Sequence, residues 1–351
     1  MSRKEQSPVI PTDSAQRAGI IGLGRRGLIQ AVLSGLNPKV KVTALYDPDE
    51  RFIPLFEDSP VKSIFYSDLP VMLKTAELDV IFICSEKEAH LSAVQECLTG
   101  NIRIYVDTPP AESLDSMTKM ANAGAGTDGP HVLGCVYPYK AVFKEAKRLL
   151  DGGILEKIKR FRASLYVTRS PFTQKNRQQR GILINTGFPL VHLLHWYFGP
   201  PAYVYSRMSQ ENKNPEKSVS LLINYDTGLL GLVDMSWNRP GYPKPTAALT
   251  IEGTRGIMEV SEESLKLFLY RSFGHFNKGW TTLCLTDLDS TEPVFYCEEG
   301  LYAAHQNFIS ADPAIFNNKI TWQDGCDVMR TIQAAYLSAE SGRPFAFNEV
   351  R

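Results

Sequence analysis

The stretch that most restricts what this chain can become is Ala18-Gly-Ile-Ile-Gly-Leu-Gly-Arg-Arg-Gly27. A short apolar run, Ala18 to Ile21, reads as a strand that ends in Gly22-x-Gly24-x-x-Gly27, and Leu28 to Leu33 has the apolar spacing of a helix. In such a turn each glycine has its own task. Gly22 permits the tight turn, Gly24 lets a pyrophosphate approach the backbone, and Gly27 lets helix and strand pack closely. The free N–H groups of the helix then face phosphate. Three glycines at this spacing also occur in ordinary tight turns, so a second signal is needed. It comes about twenty residues on, where the strand Val40 to Tyr46 ends at Asp47, a carboxylate placed to bind both ribose hydroxyls. The residues expected to line a dinucleotide site are thus Gly22, Leu23, Gly24, Arg25, Arg26, Gly27 and Asp47. NAD(H) is the preferred cofactor, because Asp47 repels a 2′-phosphate, and NADP(H) is the second choice.

Composition sets wide bounds. With 351 residues, 43% of them hydrophobic and 22% charged, two soluble globular domains are expected. Acidic and basic residues both number 38, so no net charge draws the chain to nucleic acid or to a membrane surface. The cysteines, Cys84, Cys97, Cys135, Cys284, Cys297 and Cys326, form no C-x-x-C pair and have no His at ligand spacing. Thiols in a reducing compartment are expected, with no metal site. The first sixteen residues are polar, lack the apolar core of a secretory signal and read as a flexible tail. With no apolar run long enough to span a bilayer, a cytoplasmic protein is expected.

Strand and helix patterns alternate after Asp47. Strands are expected at Val61–Tyr66, Asp79–Cys84, Ile102–Val106 and Val132–Val136, and helices at Ser67–Lys74, Glu88–Leu98 and Leu114–Ala123. Six strands in this order make a doubly wound parallel sheet, a Rossmann fold over residues 17–138. Its ligands sit beyond the carboxyl ends of the strands. From Tyr139 the pattern changes: one amphipathic helix leads into strands at Lys157–Thr168, Val219–Tyr225, Leu229–Trp237, Ala247–Glu252 and Ile257–Val260. Residues 139–351 are therefore expected to form an α+β domain with an open, largely antiparallel sheet. Whether its C-terminal helix packs back on the first domain stays open.

The glycine turn, the strand ending at Cys84-Ser85 with His90 soon after, and Tyr105-Val-Asp-Thr-Pro-Pro110 together resemble the glucose–fructose oxidoreductase/inositol dehydrogenase (Gfo/Idh/MocA) family. The likeness runs from about Ala18 to Phe347 and includes Leu249–Val260 and the stretch from Trp322 to Gly342. It implies that Cys84, Ser85, His90, Asp107, Thr108 and Pro109 also border the cofactor, with a cis bond before Pro109. Members usually carry Glu-Lys-Pro where this chain has Asp107-Thr-Pro109, and their Lys lies beside the nicotinamide and helps move the proton of the reacting hydroxyl. The family's second motif, Gly-Gly-x-x-x-Asp-x-Gly-x-His-x-x-Asp, aligns with Arg180 to His192. Asn185 then stands at the first Asp, Pro189 at the acid/base His, and His192 at the last Asp.

Three ionisable groups are thus replaced in one constellation. A helix is expected from Pro189 to about Tyr197, ending at Gly199-Pro200, with Pro189, His192 and His195 on one side. His192 is the candidate proton donor, with Thr108, Asn185 and Tyr137 as further candidate catalytic residues. His195 is a candidate substrate contact, and the alternative for both imidazoles is a hydrogen-bonded core residue. Lys157 to Arg180 holds eight basic residues and no acidic one. Solvated strand faces account for such a run, or else Arg169, Arg177 and Arg180 cover an anionic substrate.

Oxidising an alcohol needs a base for the hydroxyl proton, which threonine, amide and proline do not supply. The sequence therefore favours an oxidoreductase that reduces an activated C=N or C=C of a small molecule. A cofactor-binding sensor without chemistry, and an NAD-dependent lyase or hydrolase, are the alternatives. Family members commonly pair through the second-domain sheet, which implies a homodimer or homotetramer.

Overall fold

The computed structural model describes residues 14–52, 54, 63–98, 100, 102–127, 131–168, 181–209, 215–288, 300–310 and 320–350. The chain divides into two compact units. One holds the described residues of Met1–Ala111, Asp115–Cys135 and Val294–Gln323, and the other those of Glu112–Leu114, Val136–Pro293 and Asp324–Arg351.

The first unit is built on six parallel strands: β1 (Gln16–Ile21), β2 (Val40–Tyr46), β3 (Ile64–Tyr66), β4 (Val80–Ile83), β5 (Arg103–Val106) and β6 (Val132–Leu133). Their order is β3-β2-β1-β4-β5-β6, so the strand order reverses between β1 and β4, where ligands of such sheets bind. β4 is buried along its whole length, as its unbroken apolar run requires. β6 is shorter than the expected Val132–Val136. Gly134 N–H donates to Val106 O at 2.8 Å, and beyond that bond β5 has given way to the Thr108-Pro109 turn and offers no partner. The helix at Leu69–Thr75 takes Asp68 as its cap, the carboxylate accepting from Val71 N–H at 2.8 Å. Of the strand expected from Val61, residues 61 and 62 lie outside the described residues.

One helix of this unit comes from far along the chain. Leu301–Ser310 adds Phe308 and Ile309 to the core formed by Ala18, Ile20, Val80, Phe82 and Tyr105. Its last carbonyls meet donors from the amino ends of β1 and β5. Arg103 Nη1 donates to Phe308 O at 2.8 Å, Gln16 Nε2 donates to Ile309 O at 2.9 Å, and the Arg103 guanidinium lies 5.3 Å from the Phe308 ring. A cation at a helix C-terminus also opposes the helix dipole favourably. The long helix Trp322–Ser341, by contrast, belongs from Asp324 onward to the second unit.

The second unit carries a nine-stranded sheet in the order β14-β13-β12-β11-β7-β10-β9-β8-β15. The strands are β7 (Ile158–Tyr166), β8 (Tyr203–Ser209), β9 (Ser218–Asn224), β10 (Leu230–Ser236), β11 (Thr246–Gly253), β12 (Gly256–Val260), β13 (Ser264–Leu269), β14 (Gly279–Cys284) and β15 (Phe345–Ala346). All neighbours are antiparallel except β7 and β10. Sequence patterning misses β8, β13, β14 and β15. β14 and β15 are edge strands without the buried alternation that marks a strand in sequence, and β15 has only two residues.

Alternation gives this sheet two unlike faces. Phe161, Ala163 and Leu165 of β7 are buried, and Phe198 stacks on Phe161 at 4.6 Å. The opposite face leaves Leu222, Leu230, Leu232, Tyr203 and Trp280 between 36% and 58% exposed. Lys157, Lys159, Arg160 and Arg162 of the basic run are exposed, with Arg160 paired to Glu252 at 2.7 Å. Three of the eight basic residues therefore lie on a solvated strand, with Lys157 just before it. Among the described residues no helix is long and apolar enough to cross a membrane.

Arg103→Met should lower the unfolding free energy by about 1–3 kcal/mol, the range for a lost hydrogen bond from a charged donor. Urea titration measures it; an unchanged midpoint would show that helix Leu301–Ser310 is held by apolar burial alone.

Candidate functional site

The glycine turn is built as its spacing requires. Gly22 has φ +88°, and a Cβ there would lie 2.3 Å from the backbone N of Ser85. A Cβ on Gly27 would lie 1.9 Å from Gly22 O. Helix Arg25–Gly35 therefore starts tight against the end of β1. Around Gly24 the situation is reversed: a Cβ there would meet nothing within 4 Å. Gly24 is the helix cap, with no side-chain hydrogen bond and no acidic residue in the first turn. An anion fits such an end, where the dipole and the first N–H groups favour it. The Ser85 hydroxyl, buried beside Gly22, has no hydrogen-bond partner among the described residues.

Asp47 is buried at the end of β2 and does more than its spacing suggests. Oδ2 accepts the Leu23 N–H at 2.6 Å and Oδ1 accepts the Asp49 N–H at 2.8 Å. It braces the glycine turn, and each oxygen keeps a further lone pair for a ribose hydroxyl. Nearby Arg51 is exposed and donates to both oxygens of Asp49.

The turns after β4 and β5 stand at the same edge. Cys84 is buried and donates its N–H to Ile21 O at 2.7 Å, and burial first, then the charge of Asp107, pushes its thiol well up. His90 places Nε2 2.8 Å from Ser85 O and Nδ1 3.0 Å from Pro110 O. Asp107 is buried, with Arg26 Nε at 3.4 Å, so the glycine turn and the β5 turn share an ion pair. Thr108–Pro109 is cis, as the resemblance implies, and Thr108 Oγ1 donates to Gly134 O at 3.4 Å. Gly22 through Gly27, Asp47, Cys84, Ser85, His90, Asp107, Thr108 and Pro109 thus gather at the carboxyl ends of β1, β2, β4 and β5.

The other candidates belong to the second unit. Tyr137 is buried in the 3₁₀ turn Tyr137–Tyr139, edge-on to Phe143 at 5.1 Å, with Lys140 Nζ 5.0 Å over its ring. Lys140 pairs with the buried Glu262, whose other oxygen accepts the Ala247 N–H at 3.1 Å. Asn185 closes the short helix Ile182–Asn185. The buried Glu216 caps that helix by accepting from Leu183 N–H at 3.1 Å, and also from Tyr336 Oη at 2.8 Å. Sequence reading passed over Glu216, Glu262 and Lys140, since a lone charged residue carries no periodic mark of burial.

Helix Phe188–Phe198 starts one residue before Pro189, and Gly199 ends it with φ +79°. His192 is 5% exposed and its Nδ1 has no partner among the described residues. Burial, partly offset by Asp324, brings its pKa down to about 4. His195 accepts or donates at Nε2 with Thr331 Oγ1 at 2.9 Å, and burial, then His192, brings it to about 3. Enclosure of the helix thus holds the His192 imidazole in its neutral form at pH 7. His195 fits the hydrogen-bonded core alternative. Arg169, Arg177 and Arg180 lie outside the described residues.

Two family models match the chain: "Oxidoreductase family, NAD-binding Rossmann fold" over residues 16–129 and "GFO/IDH/MocA C-terminal domain" over 143–259. A Bacillus subtilis protein described as uncharacterized oxidoreductase YrbE is 29% identical over 136 residues, which is 38% of this chain and 40% of that protein. Among solved structures, levoglucosan dehydrogenase with NADH and levoglucosan aligns at TM-score 0.83 and 16% identity, covering 95% of this chain and 99% of that one. An Agrobacterium radiobacter oxidoreductase with NAD+, L-tartaric acid and magnesium aligns at 0.81 and 18%, covering 96% and 99%. The WlbA dehydrogenase of Bordetella pertussis with NADH and UDP-GlcNAcA aligns at 0.77 and 16%, covering 95% and 98%. At these identities the structures establish the shared fold.

The open space at Gly24 is directly testable. Gly24→Ala should leave the thermal midpoint of the free protein unchanged and weaken NADH binding by about tenfold or more. Fluorescence titration of NADH that gave equal affinities would place the dinucleotide elsewhere.

Proposed function

The chain belongs to the Gfo/Idh/MocA family of NAD-binding oxidoreductases, and we propose that it reduces an activated C=N or C=C bond of a small molecule. The observation that carries this reading is the set of replacements at Thr108, Asn185 and Pro189, beside two imidazoles, His192 and His195, that burial keeps neutral. Removing a hydroxyl proton needs a base with a pKa near the working pH. None of these five groups is one. An activated double bond needs only hydride at carbon and a proton at its other end, which water or the Tyr137 phenol provides.

Bound as NAD(H), the nicotinamide supplies or takes the hydride. In this reading the first turn of helix Arg25–Gly35 receives the pyrophosphate. Asp47 accepts from the adenosine ribose hydroxyls and repels a 2′-phosphate, so NAD(H) binds more tightly than NADP(H). Thr108 borders the reacting end. The substrate is anionic in this reading, with Arg169, Arg177 and Arg180 as its partners, on the strength of the charge run alone. Among the described residues Cys84, Cys97, Cys135, Cys284 and Cys326 form no disulfide, which suits a reducing, cytoplasmic setting.

Purified protein should consume NADH with imines or enoates, with NADPH binding more weakly in calorimetry. Faster turnover of NAD+ with alcohols or polyols would overturn the reading. The exposed sheet face of β8, β9 and β10 favours pairing with a second copy, since apolar area of this kind is seldom left in water. Light scattering at micromolar concentration should then give a dimer or tetramer mass; a monomer mass would count against it.

A further inference from the structure

Of the groups at the carboxyl edge of the first sheet, His90 is unusual in what its ring faces. It sits in the first turn of helix Lys87–Cys97 and is 2% exposed. Both ring nitrogens lie within hydrogen-bond distance of backbone carbonyls, Ser85 O at 2.8 Å and Pro110 O at 3.0 Å. The two carbonyls belong to different turns, one after β4 and one after β5. Ser85 carries the buried hydroxyl without a partner, and Pro110 follows the Thr108–Pro109 turn.

A carbonyl oxygen only accepts, and a neutral imidazole has one N–H. A neutral ring therefore satisfies one of the two contacts and sets a lone pair against the other oxygen. Only the protonated ring donates to both. The charges that bear on it are few. Glu88 of its own helix is paired with Lys87 at 2.8 Å, and Asp107 of the β5 turn is paired with Arg26 at 3.4 Å. Both carboxylates favour the protonated ring, as do the two carbonyls, while burial opposes it and outweighs them, so the ring titrates below its ordinary range.

We propose that His90 is a positioning residue: one ring ties the turn after β4 to the turn after β5, and so sets the distance between Ser85 and Thr108 at the nicotinamide end of the dinucleotide site. The inference rests on the reading of this edge as an NAD(H) site. On acidification below its ordinary titration range the ring gains its second N–H, both carbonyls become donor-matched, and the two turns are held more firmly.

The test is NADH affinity, read by nucleotide fluorescence from about pH 7.5 to about pH 5, in the wild type, His90→Phe and His90→Gln. Phe fills the ring's space without a donor; Gln restores one donor that does not titrate. Wild-type affinity should rise as the pH falls. His90→Phe should bind about fivefold to tenfold more weakly with a flat profile, and His90→Gln should recover part of the affinity while staying flat. Equal affinity and equal pH dependence in His90→Phe would overturn the proposal. So would weakened binding with the wild-type pH profile, which would make the ring a packing element only. If His90→Phe fails to fold, the flat or sloping profile of His90→Gln decides alone. A wild type that does not bind NADH would instead remove the NAD(H) site itself, and the inference with it.

Discussion

The structure depends on one close backbone contact, Gly27 against the carbonyl of Gly22. With no side-chain atom at either position, helix Arg25–Gly35 begins directly over the end of β1, and Gly22 sits against the backbone of Ser85. The consequences are geometric. The helix N-terminus, Asp47 and the turns after β4 and β5 come to one edge, because β1 is central and its neighbours β2 and β4 end level with it. Asp47 then reaches back to the Leu23 N–H and closes the turn from the other side. A side chain at Gly22 or Gly27 would push these pieces apart, whereas Gly24 borders open space.

Burial decides the electrostatics elsewhere. His131, His192, His195 and His305 are all drawn down to between about 3 and about 4, in each case chiefly by desolvation. An enclosed imidazole with too few partners loses more from leaving water than it gains from its neighbours. The buried carboxylates are matched by donors instead. Asp47, Glu216 and Glu262 each accept backbone N–H groups, and Glu262 also holds Lys140, so each is matched where it lies. The second unit thus holds many polar groups around the register of the family's catalytic motif, but they are spent on holding turns and helix ends.

This division bears on chemistry. Where the resemblance places an amine, a carboxylate and an imidazole, the chain has a hydroxyl, an amide and a proline ring. The remaining titratable side chains of helix Phe188–Phe198 are silent near neutrality. The edge of the first unit keeps its nucleotide-shaped features, and the register of the second motif, in the other unit, has lost the ionisable groups at Asn185 and Pro189.

Local order was legible in the sequence because it rests on short-range rules. The strand–turn–helix at Gly22–Gly27, the βα alternation, the helix start beside Pro189 and its stop at Gly199 follow from glycine and proline stereochemistry and from apolar period. Of the candidate dinucleotide edge, Gly22–Gly27 and Asp47 are marked by glycine spacing and a strand end, whereas the residues after β4 and β5 come from the family resemblance. Other features required the folded chain. Helix Leu301–Ser310 joins the first unit because Arg103 and Gln16, some two hundred and more residues earlier, meet its last carbonyls. The edge strands β14 and β15 exist by pairing with neighbours rather than by their own pattern. Whether His192 is a proton donor or a neutral ring is a matter of how much water reaches it, and the enclosure of a side chain is set by everything packed around it. Sequence placed His90 near the site; only the tertiary structure brought two carbonyls from separate turns to one ring, because that contact is made between segments twenty residues apart.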